Sequence, residues 1–288
     1  MCRRSRHPHC RSWRLKSQPK GFLLVDEGRR RALVKKPCLY YLQQKGLLDP
    51  GGIFRDMKEA PFRGRGSLLL LEGEVALVIR QYLHGGLLRA LNRDLFFFGD
   101  RPLRELSIMV RLLEAGVRTL EPVAAIRERV GPFYRGYLVT RYLPRAVDLL
   151  TYLQGNPPLE ERRRVLRKAA EVTRRVHDLG VFHRDLHLRN FLVDGGEVYL
   201  IDFDRALEGD PSNLRLRMKN LSRLLRSVEK FRRRGLPITL SDELAFWRAY
   251  SRGDGDLERA LRDYLRRQRL RMTLWRVGWW VEGILYRA

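Results

Sequence analysis

The chain has 288 residues, of which 44% are hydrophobic and 10% aromatic; this argues against global disorder and predicts a folded protein with a substantial core. Its formal net charge is +25, with Lys contributing nine of the 58 basic residues and Arg the other 49. Because guanidinium groups grip carboxylates and phosphates, this bias favours an anionic partner such as a nucleic acid, an acidic lipid or a phosphate-bearing substrate. The alternative is that the Arg bias reflects genome composition or heat adaptation, with most of these side chains simply solvated.

The cysteines and the apolar runs bear on the cellular compartment. Cys2, Cys10 and Cys38 show neither metal-ligand spacing nor an even number for disulfide pairing, which favours a reducing compartment. No run approaches the roughly 18 apolar residues that cross a bilayer, and FLLV at 22–25 is too short for a signal-peptide core. We therefore expect a cytoplasmic protein that can be peripheral to a membrane, with residues 1–20 as a loose basic arm.

The first half of the chain is predicted to be rich in strands, with one helix. The segment 67–79, SLLLLEGEVALVI, predicts a hairpin with its turn at Glu72 and Gly73. The segment 100–116 predicts a helix, because its apolar residues recur at steps of three and four and Asp100 can cap its first turn.

The second half is predicted to be mainly helical. A buried strand at 136–144 runs into a linker, and the amphipathic segment 161–180 predicts a helix. A short strand at 198–201 then precedes a long basic helical region. The predicted fold class is therefore α+β, with a strand-rich N-lobe at 21–143, a helical C-lobe at 144–288 and a cleft between them.

One stretch, VFHRDLHLRNFLVD at 181–194, places many polar groups between two short apolar segments. The flanks predict short buried strands, and a polar loop held between such strands is where a rigid scaffold presents chemistry. Within it Asp185 lies five residues before Asn190, and Asp202 follows at the end of the next strand, in IDFDR. This order, H-R-D-L-x-x-x-N and then a strand ending in Asp-Phe, is that of the catalytic and metal-binding loops of protein kinases.

Phosphoryl transfer needs these residue types. The negative charges of the phosphoryl donor must be neutralised by Mg²⁺, whose preferred oxygen ligands would come from Asp202 and Asn190. The acceptor hydroxyl loses a proton as it attacks, and a carboxylate beside it, that of Asp185, suits the role of base. The pattern therefore predicts ATP and Mg²⁺ as cofactors.

Residues farther upstream predict the part of the site that holds the nucleotide phosphates. Gly64 and Gly66 lie in a turn where glycines let backbone N–H groups approach phosphate oxygens, although Leu69 replaces the third glycine of kinases. Arg80 stands where kinases carry a strand lysine, fourteen residues after Gly66, and its fork can hold the α- and β-phosphates. Glu105, on the following helix, is predicted to pair with Arg80 and aim it.

Several residues near these motifs have competing interpretations. Glu114, on the same helix, is the rival partner for the strand arginine. Asp204 could assist metal binding or pair with Arg205. His183 and His187 stand four apart and could form a zinc pair, but the strand–loop context favours a structural role in which His183 braces the catalytic loop.

The order and spacing of these motifs resemble the lipopolysaccharide kinases of the protein-kinase-like superfamily, specifically the branch that phosphorylates 3-deoxy-D-manno-octulosonic acid (Kdo). The resemblance covers roughly residues 60–232. It is carried by GRG at 64–66, RQYLHGG at 80–86, RELSIMVRLLEAGV at 104–117, HRDLHLRNFLVD at 183–194, YLIDFDRA at 199–206 and NLSRLLRSVEK at 220–230.

This resemblance implies a bilobal protein-kinase-like fold and an ATP-dependent kinase whose acceptor is the Kdo sugar of Kdo-lipid A. It also implies a position at the cytoplasmic face of a Gram-negative inner membrane, so the expected partners are an anionic glycolipid and an anionic membrane surface, and no nucleic acid. In this branch Arg replaces the strand lysine, so Arg80 agrees with the resemblance. The segment 80–86 is less basic than its counterpart in Kdo kinases, which leaves the sugar acceptor open.

Other functions fit the same residues. The nearest is the same reaction on a heptose of the lipopolysaccharide core, and a more distant one is a small-molecule or protein kinase. A non-catalytic, basic nucleic-acid-binding module of kinase shape is a further alternative, but it has no need of Asp185, Asn190 and Asp202 together. The Trp- and Arg-rich segment 271–288 predicts either a membrane-surface helix or a terminal helix packed on the helical lobe.

Overall fold

The computed structural model of the chain describes residues 18–49, 58–59, 68–84, 94–97, 99–264 and 266. Three predicted features lie outside these ranges: most of the arm at 1–20, the glycines Gly64 and Gly66, and the segment 271–288. Among the described residues no helix combines the length and the hydropathy that crossing a bilayer requires.

The chain forms two compact units. Unit 1 contains the residues up to Ala146 together with Tyr199–Arg205, and unit 2 contains Val147–Val198 and the residues from Ala206 onward. The predicted lobes met between residues 143 and 144, whereas unit 1 extends to Ala146 and also includes the segment that carries Asp202. The physical reason is a set of ion pairs and hydrogen bonds, described below, that tie this segment to unit 1.

Unit 1 is built on one seven-stranded antiparallel sheet of order β1-β2-β6-β7-β5-β4-β3. Its strands are β1 (Phe22–Glu27), β2 (Arg30–Lys35), β3 (Lys58–Glu59), β4 (Leu68–Leu71), β5 (Leu77–Gln81), β6 (Pro122–Val130) and β7 (Phe133–Arg141). The predicted hairpin is confirmed as β4 and β5, although the last pair, Leu71 with Leu77, leaves a longer connection than a two-residue turn.

One face of the sheet carries a continuous apolar cluster. Leu77 and Ile79 of β5 are fully buried, and they pack in a cluster with Ala124 and Ile126 of β6 and with Val139 of β7. Burial of such side chains is the main source of stability for the sheet. The strand that carries Arg80 is therefore held rigidly from the side opposite to its polar residues.

One element of unit 1 was not predicted. A 3-10 turn at Lys36–Cys38 leads into the short helix α1 (Leu39–Gln44). Pro37 in that turn fixes φ at a helical value, and Leu42 is fully buried in the sheet core. A helix of six residues is too short to give a clear periodic pattern in the sequence.

The predicted helix at 100–116 is confirmed as α2 (Arg101–Glu114). The carboxylate of Asp100 accepts a hydrogen bond of 3.3 Å from the backbone N–H of Leu103, as an N-cap does. The chain leaves the helix at Gly116, whose φ of +71° is a left-handed value that glycine adopts without strain. The helix buries one face, and Glu105 lies on that buried face.

Unit 2 is mainly helical, as predicted. Its helices are α3 (Leu149–Gln154), α4 (Leu159–Asp178), α5 (Leu214–Arg232) and α6 (Leu240–Ser251), and residues 255–264 are also helical. Its strands are β8 (Val147–Asp148), β9 (Val181–Phe182), β10 (Phe191–Asp194) and β12 (Leu207–Glu208), while β11 (Glu197–Leu200) ends in the part of the chain assigned to unit 1.

The polar stretch of the sequence lies between β9 and β10, and both flanks are strands as predicted. Phe182 and Phe191, which border the loop, are fully buried. Gly180, just before β9, has a φ of +69°, and a side chain there would collide with the carbonyl oxygen of Gly209. A glycine is therefore required where α4 turns into the strand that leads to the loop.

Candidate active site

In unit 1 three of the predicted site residues meet at the guanidinium of Arg80. One of its nitrogens, Nη1, donates to Oδ1 of Asp202 at 2.6 Å. The other, Nη2, donates to Oε2 of Glu105. The fork of a single arginine thus joins strand β5, helix α2 and the segment after β11, which are far apart in the sequence.

Glu105 is the centre of this cluster, because both of its oxygens are used. Oε2 accepts from Arg80 and from the hydroxyl of Tyr82, and Oε1 accepts from the backbone N–H of Phe203 at 3.0 Å. The Glu105 side chain is 1% exposed. Glu114, the rival partner for Arg80, lies at the exposed end of the same helix.

Burial and charge act in opposite directions on this cluster. Burial raises the pKa of Glu105 to about 7, while the adjacent Arg80 opposes this rise and Asp202 adds to it. Burial alone would lower the pKa of Arg80, but the carboxylates of Glu105 and Asp202 and the nearby Tyr82 together raise it well above its usual value. Arg80 therefore stays cationic, while the charge of Glu105 depends on pH near neutrality.

Asp204 binds a different arginine from the one considered in the sequence. Both of its carboxylate oxygens accept from Arg101, with Nε donating to Oδ1 at 2.7 Å and Nη2 to Oδ2. Arg101 is the first residue of α2, and its guanidinium also lies over the rings of Tyr82 and Phe96, at 5.4 and 4.7 Å from their centroids. Pairing with Arg205 was one of the two interpretations of Asp204 in the sequence, and the structure gives Arg101 as its partner instead, because α2 brings Arg101 to the segment.

The segment 202–204 is thus held at three consecutive residues. Arg80 binds Asp202, Glu105 binds the backbone of Phe203, and Arg101 binds Asp204. Asp202 has a φ of +67°, a left-handed conformation that costs a non-glycine residue on the order of 1 kcal/mol. The flanking contacts maintain this conformation and fix where its carboxylate points.

Sequence reasoning missed Tyr82 and Arg101. Tyr82 follows Arg80 by two residues, so the alternation of a strand places both side chains on one face. Arg101 precedes Glu105 by four residues, so both lie on one face of α2. These spacings were visible in the sequence, and Tyr82 lies in the segment RQYLHGG that supports the resemblance, but neither residue was assigned a role from its sequence.

In unit 2 the loop between β9 and β10, which contains Asp185, is braced by hydrogen bonds to its own backbone. His183, 2% exposed, accepts at Nδ1 from the backbone N–H of Asp185 at 3.2 Å. The Nδ2 of Asn190, 5% exposed, donates to the backbone carbonyl of Asp185 at 2.8 Å. The two contacts fix the main chain of Asp185 on both sides, which is the bracing role predicted for His183.

The carboxylate of Asp185 itself remains accessible. The side chain is 60% exposed, and Nε2 of His187 lies 3.9 Å from its Oδ2. Asn190 ends a 3-10 turn, Leu188–Asn190, that leads directly into β10. A fixed backbone with a free carboxylate is the arrangement that a general base requires.

The predicted site residues therefore fall into two sets. Unit 1 brings Arg80, Glu105 and Asp202 together, and unit 2 brings Asp185 and Asn190 together. Gly64 and Gly66 lie outside the described residues.

Comparison with solved structures assigns the fold. The structure of WaaP in complex with acyl carrier protein matches with a TM-score of 0.55, covering 82% of this chain and 98% of that chain at 23% sequence identity. The chain therefore belongs to the class of proteins that have the α+β protein-kinase-like fold, as the sequence predicted.

Comparison of sequences is more specific. The family model described as "Lipopolysaccharide kinase (Kdo/WaaP) family" matches residues 56–250. The chain belongs to the lipopolysaccharide kinase (Kdo/WaaP) family, which confirms the predicted resemblance. It is therefore a phosphotransferase that acts on a hydroxyl acceptor in lipopolysaccharide biosynthesis, and membership in a kinase family implies ATP as the phosphoryl donor.

Several curated relatives are named 3-deoxy-D-manno-octulosonic acid kinase. The relative from Xylella fastidiosa (strain 9a5c) is 33% identical over 216 residues, which cover 72% of this chain and 84% of the relative. The relative from Vibrio cholerae serotype O1 is 34% identical over 175 residues, covering 58% of this chain and 72% of the relative. The relative from Haemophilus influenzae (strain PittEE) is 33% identical over 182 residues, covering 58% and 73%.

Proposed function

We propose that this protein transfers the γ-phosphoryl group of ATP to a hydroxyl of the Kdo residue of Kdo-lipid A, in assembly of the lipopolysaccharide inner core. The observation that carries this proposal is the similarity to relatives named Kdo kinase, which extends over 84% of the length of one of them. The family alone leaves the acceptor sugar open, since its description names both Kdo and WaaP.

In the proposed reaction Asp185 is the base that accepts the proton of the acceptor hydroxyl. Its exposed carboxylate and its fixed backbone support this role. Arg80 binds phosphate oxygens of the nucleotide, and Glu105 orients its fork. Gly64 and Gly66 would supply backbone N–H groups to the phosphates, a role that rests on the sequence alone.

Asp202 and Asn190 are the proposed ligands of Mg²⁺, and their chemistry fits that cation. The Asp202 carboxylate is 42% exposed and accepts a hydrogen bond from Arg80 at Oδ1. Asn190 uses its Nδ2 in the catalytic loop, which orients its Oδ1 as an acceptor. Mg²⁺ is commonly held by one or two side-chain oxygens together with substrate phosphates, and when bound it would neutralise the charge of the transferred group.

We also propose that the protein works at the cytoplasmic face of the inner membrane of a Gram-negative bacterium, because the proposed acceptor is a membrane glycolipid. The formal charge of +25 supports contact with an anionic leaflet. Binding to vesicles that contain phosphatidylglycerol, measured by co-sedimentation, is expected to weaken as salt is raised, since ionic screening reduces such attraction.

An acceptor assay tests the proposed function. The protein is incubated with labelled ATP and Mg²⁺ and, in parallel, with Kdo-lipid A, with a heptose-containing core acceptor or with neither. We expect label on Kdo-lipid A, with the phosphate placed on the Kdo sugar by mass spectrometry, and a loss of at least about a hundredfold in Asp185→Asn. Label only on the heptose acceptor would replace the proposed substrate, and equal transfer by wild type and Asp185→Asn would remove Asp185 from its role.

A further inference from the structure

Unit 2 carries a groove of about 640 Å³ between helices α4 and α6, and four of its nine lining residues are arginines. The two walls contribute side chains at four-residue steps. They are Arg163, Arg167 and Glu171 on α4, and Leu244 and Arg248 on α6 with Arg252 directly after it. Because residues four apart on a helix lie on the same face, each wall presents a straight row.

The positive charge is least compensated in the middle of the groove. At one end Arg163 donates to the hydroxyl of Ser241 at 3.2 Å, and at the other Arg252 lies 3.8 Å from Glu171. Between them Arg167 and Arg248 are exposed, and neither has a hydrogen-bonding or ionic partner for its side chain within the described parts of the chain. An anionic group entering the groove would therefore meet two unpaired guanidinium groups.

Apolar surface accompanies this charge. Ala245 and Ala249 line the groove beside the arginines, and they are small enough to let another backbone come close. Leu244, 52% exposed, also lines it, and Leu240, 73% exposed, lies one turn earlier on the same face. Large exposed apolar side chains beside a charged row are typical of a surface that another molecule covers.

The spacing of the charges fits a helix better than a free anion. Residues four apart on a helix are separated by about 6 Å along its axis, so carboxylates at four-residue steps on a third helix would match the arginine rows. The apolar stripe of that helix would cover Leu244 and the two alanines, which a phosphate group would leave exposed. Such a helix lying in a groove is a common mode of recognition.

The stretches of the printed sequence outside the described ranges are poor in acidic residues. Outside the described ranges the acidic residues are Asp56 and Glu282, whereas the segment 267–288 holds five arginines. A second copy of the chain carries the same charge of +25, which opposes self-association. An acidic partner protein therefore fits the charge of the groove better than either of these.

We propose that the groove between α4 and α6 binds an acidic amphipathic helix of a partner protein, with carboxylates paired to Arg167 and Arg248 and apolar side chains packed on Leu244. This surface is separate from the residues assigned to phosphoryl transfer. The binding can be measured without ATP or acceptor, so its failure and a failure of the proposed function are distinguishable.

Fluorescence anisotropy with three labelled peptides tests the proposal on the full chain. Each peptide has about 16 residues, enough for four helical turns. One carries Glu at four-residue steps on both sides of a Leu/Ala stripe, the second has the same composition in scrambled order, and the third has Lys for Glu. We expect the ordered acidic peptide to bind, the scrambled one to bind at least about tenfold more weakly, and the Lys peptide not to bind, because register and charge sign both contribute.

Matched variants locate the binding. The double variant Arg167→Glu/Arg248→Glu is expected to bind the ordered acidic peptide at least about tenfold more weakly than wild type does. Leu244→Ser is expected to reduce the affinity less. Arg164→Glu/Arg215→Glu makes the same change in charge at exposed positions outside the groove and is expected to leave most of the affinity. Circular dichroism verifies that each variant is folded.

Three results would overturn the proposal. The first is that wild type does not bind the ordered acidic peptide, and the second is that it binds the scrambled peptide equally well. The third is that the groove variant and the control variant lose the same amount of affinity for the ordered peptide. The alternative, that the groove binds an anionic lipid surface, is tested with vesicles containing phosphatidylglycerol. It would be supported if wild type binds the vesicles but not the peptide and Arg167→Glu/Arg248→Glu abolishes the vesicle binding.

Discussion

Arg80 must be an arginine because it makes two directed contacts at once. Its Nη1 reaches Asp202 and its Nη2 reaches Glu105, and this double contact needs a planar fork. A lysine in its place would carry the charge on one nitrogen and could not hold both carboxylates in the same geometry. The arginine of this chain thus does more than replace the positive charge of a kinase lysine.

Arg80→Lys is therefore expected to lower kcat/KM for ATP about 10- to 100-fold, because the fork is lost while the charge remains. Arg80→Met should lower it further. Steady-state kinetics with ATP varied at fixed acceptor gives the comparison. Equal kcat/KM in wild type and Arg80→Lys would show that charge alone suffices.

Glu105 makes the activity sensitive to pH. Its pKa is raised to about 7 by burial, so below that pH the carboxyl becomes protonated and Arg80 loses a charged partner. We expect kcat/KM to fall as the pH drops through about 7, and Glu105→Gln to be less active and to lack this inflection. Profiles from about pH 6 to 8, recorded for both proteins, provide the measurement. An identical inflection in Glu105→Gln would assign it to another group.

Arg101 and Asp204 are expected to act by positioning Asp202. Replacing Asp204 by Asn removes the ion pair but keeps the shape, and the strained backbone at Asp202 then loses one of its supports. We predict that Asp204→Asn and Arg101→Met raise the Mg²⁺ concentration needed for half-maximal activity by about tenfold, with a smaller change in kcat at saturating Mg²⁺. Titration of activity with Mg²⁺ distinguishes the two effects.

The control for this prediction is Arg104→Met, on an exposed position of the same helix. An equal shift in Arg104→Met would point to a general loss of charge around α2. Additivity of Arg101→Met and Asp204→Asn in the double variant would contradict a direct interaction between the two residues.

At the level of elements, three helices of unit 2 meet at a buried histidine. His177 of α4 is 1% exposed, its Nδ1 lies 2.7 Å from the hydroxyl of Tyr250 on α6, and its Nε2 lies 3.4 Å from Oδ1 of Asn220 on α5. A neutral ring satisfies both partners, since Nδ1 then accepts and Nε2 donates. Burial and the nearby Arg217 lower the pKa of His177 from 6.5 to about 3.

This shift makes the free energy of unfolding depend on pH. The unfolded state takes up a proton below pH 6.5 and the folded state does so only near pH 3, so the stabilisation is complete above 6.5 and is lost as the pH falls toward 3. We expect the difference in unfolding free energy between wild type and His177→Gln to shrink by up to about 1.4 kcal/mol per pH unit in that window. Urea denaturation at several pH values measures it, and a difference that does not change with pH would contradict a neutral buried ring.

Helix α2 and the sheet cooperate to place the residues of unit 1. Gly136 of β7 lies so close to Pro102 that an added Cβ would approach its ring to 2.6 Å. The close approach brings the start of α2, and with it Arg101, beside Tyr82, which directly follows the strand that carries Arg80. The geometry of the cluster thus depends on a contact between a strand and a helix that no motif records.

At the scale of the whole molecule, binding of nucleotide and metal is expected to raise the thermal stability. A ligand at a hundred times its Kd stabilises the folded state by about 2.7 kcal/mol. We predict that ATP with Mg²⁺ raises the Tm of wild type more than ATP with EDTA does, and that Asp202→Asn loses this metal-dependent part. Differential scanning fluorimetry provides the measurement. An Mg²⁺-dependent shift retained in Asp202→Asn would remove Asp202 from the proposed ligand set.

Much of the fold was predictable from the sequence. The hairpin of β4 and β5, helix α2, the strands that flank the polar loop and the change from strands to helices all follow from local periodicity, turn residues and caps. These are short-range properties of the chain, so they are visible without its tertiary structure. The same holds for the motif spacing on which the family resemblance rests.

Tertiary structure alone decided which side chains meet. Arg80 and Asp202 are 122 residues apart in the sequence, and Arg101 and Asp204 are 103 apart. No local pattern encodes such pairs, because they depend on how α2 packs on the sheet and on the return of Tyr199–Arg205 to unit 1. The sequence by itself determined the family and the residue types of the site, whereas packing over long distances in the chain determined their partners.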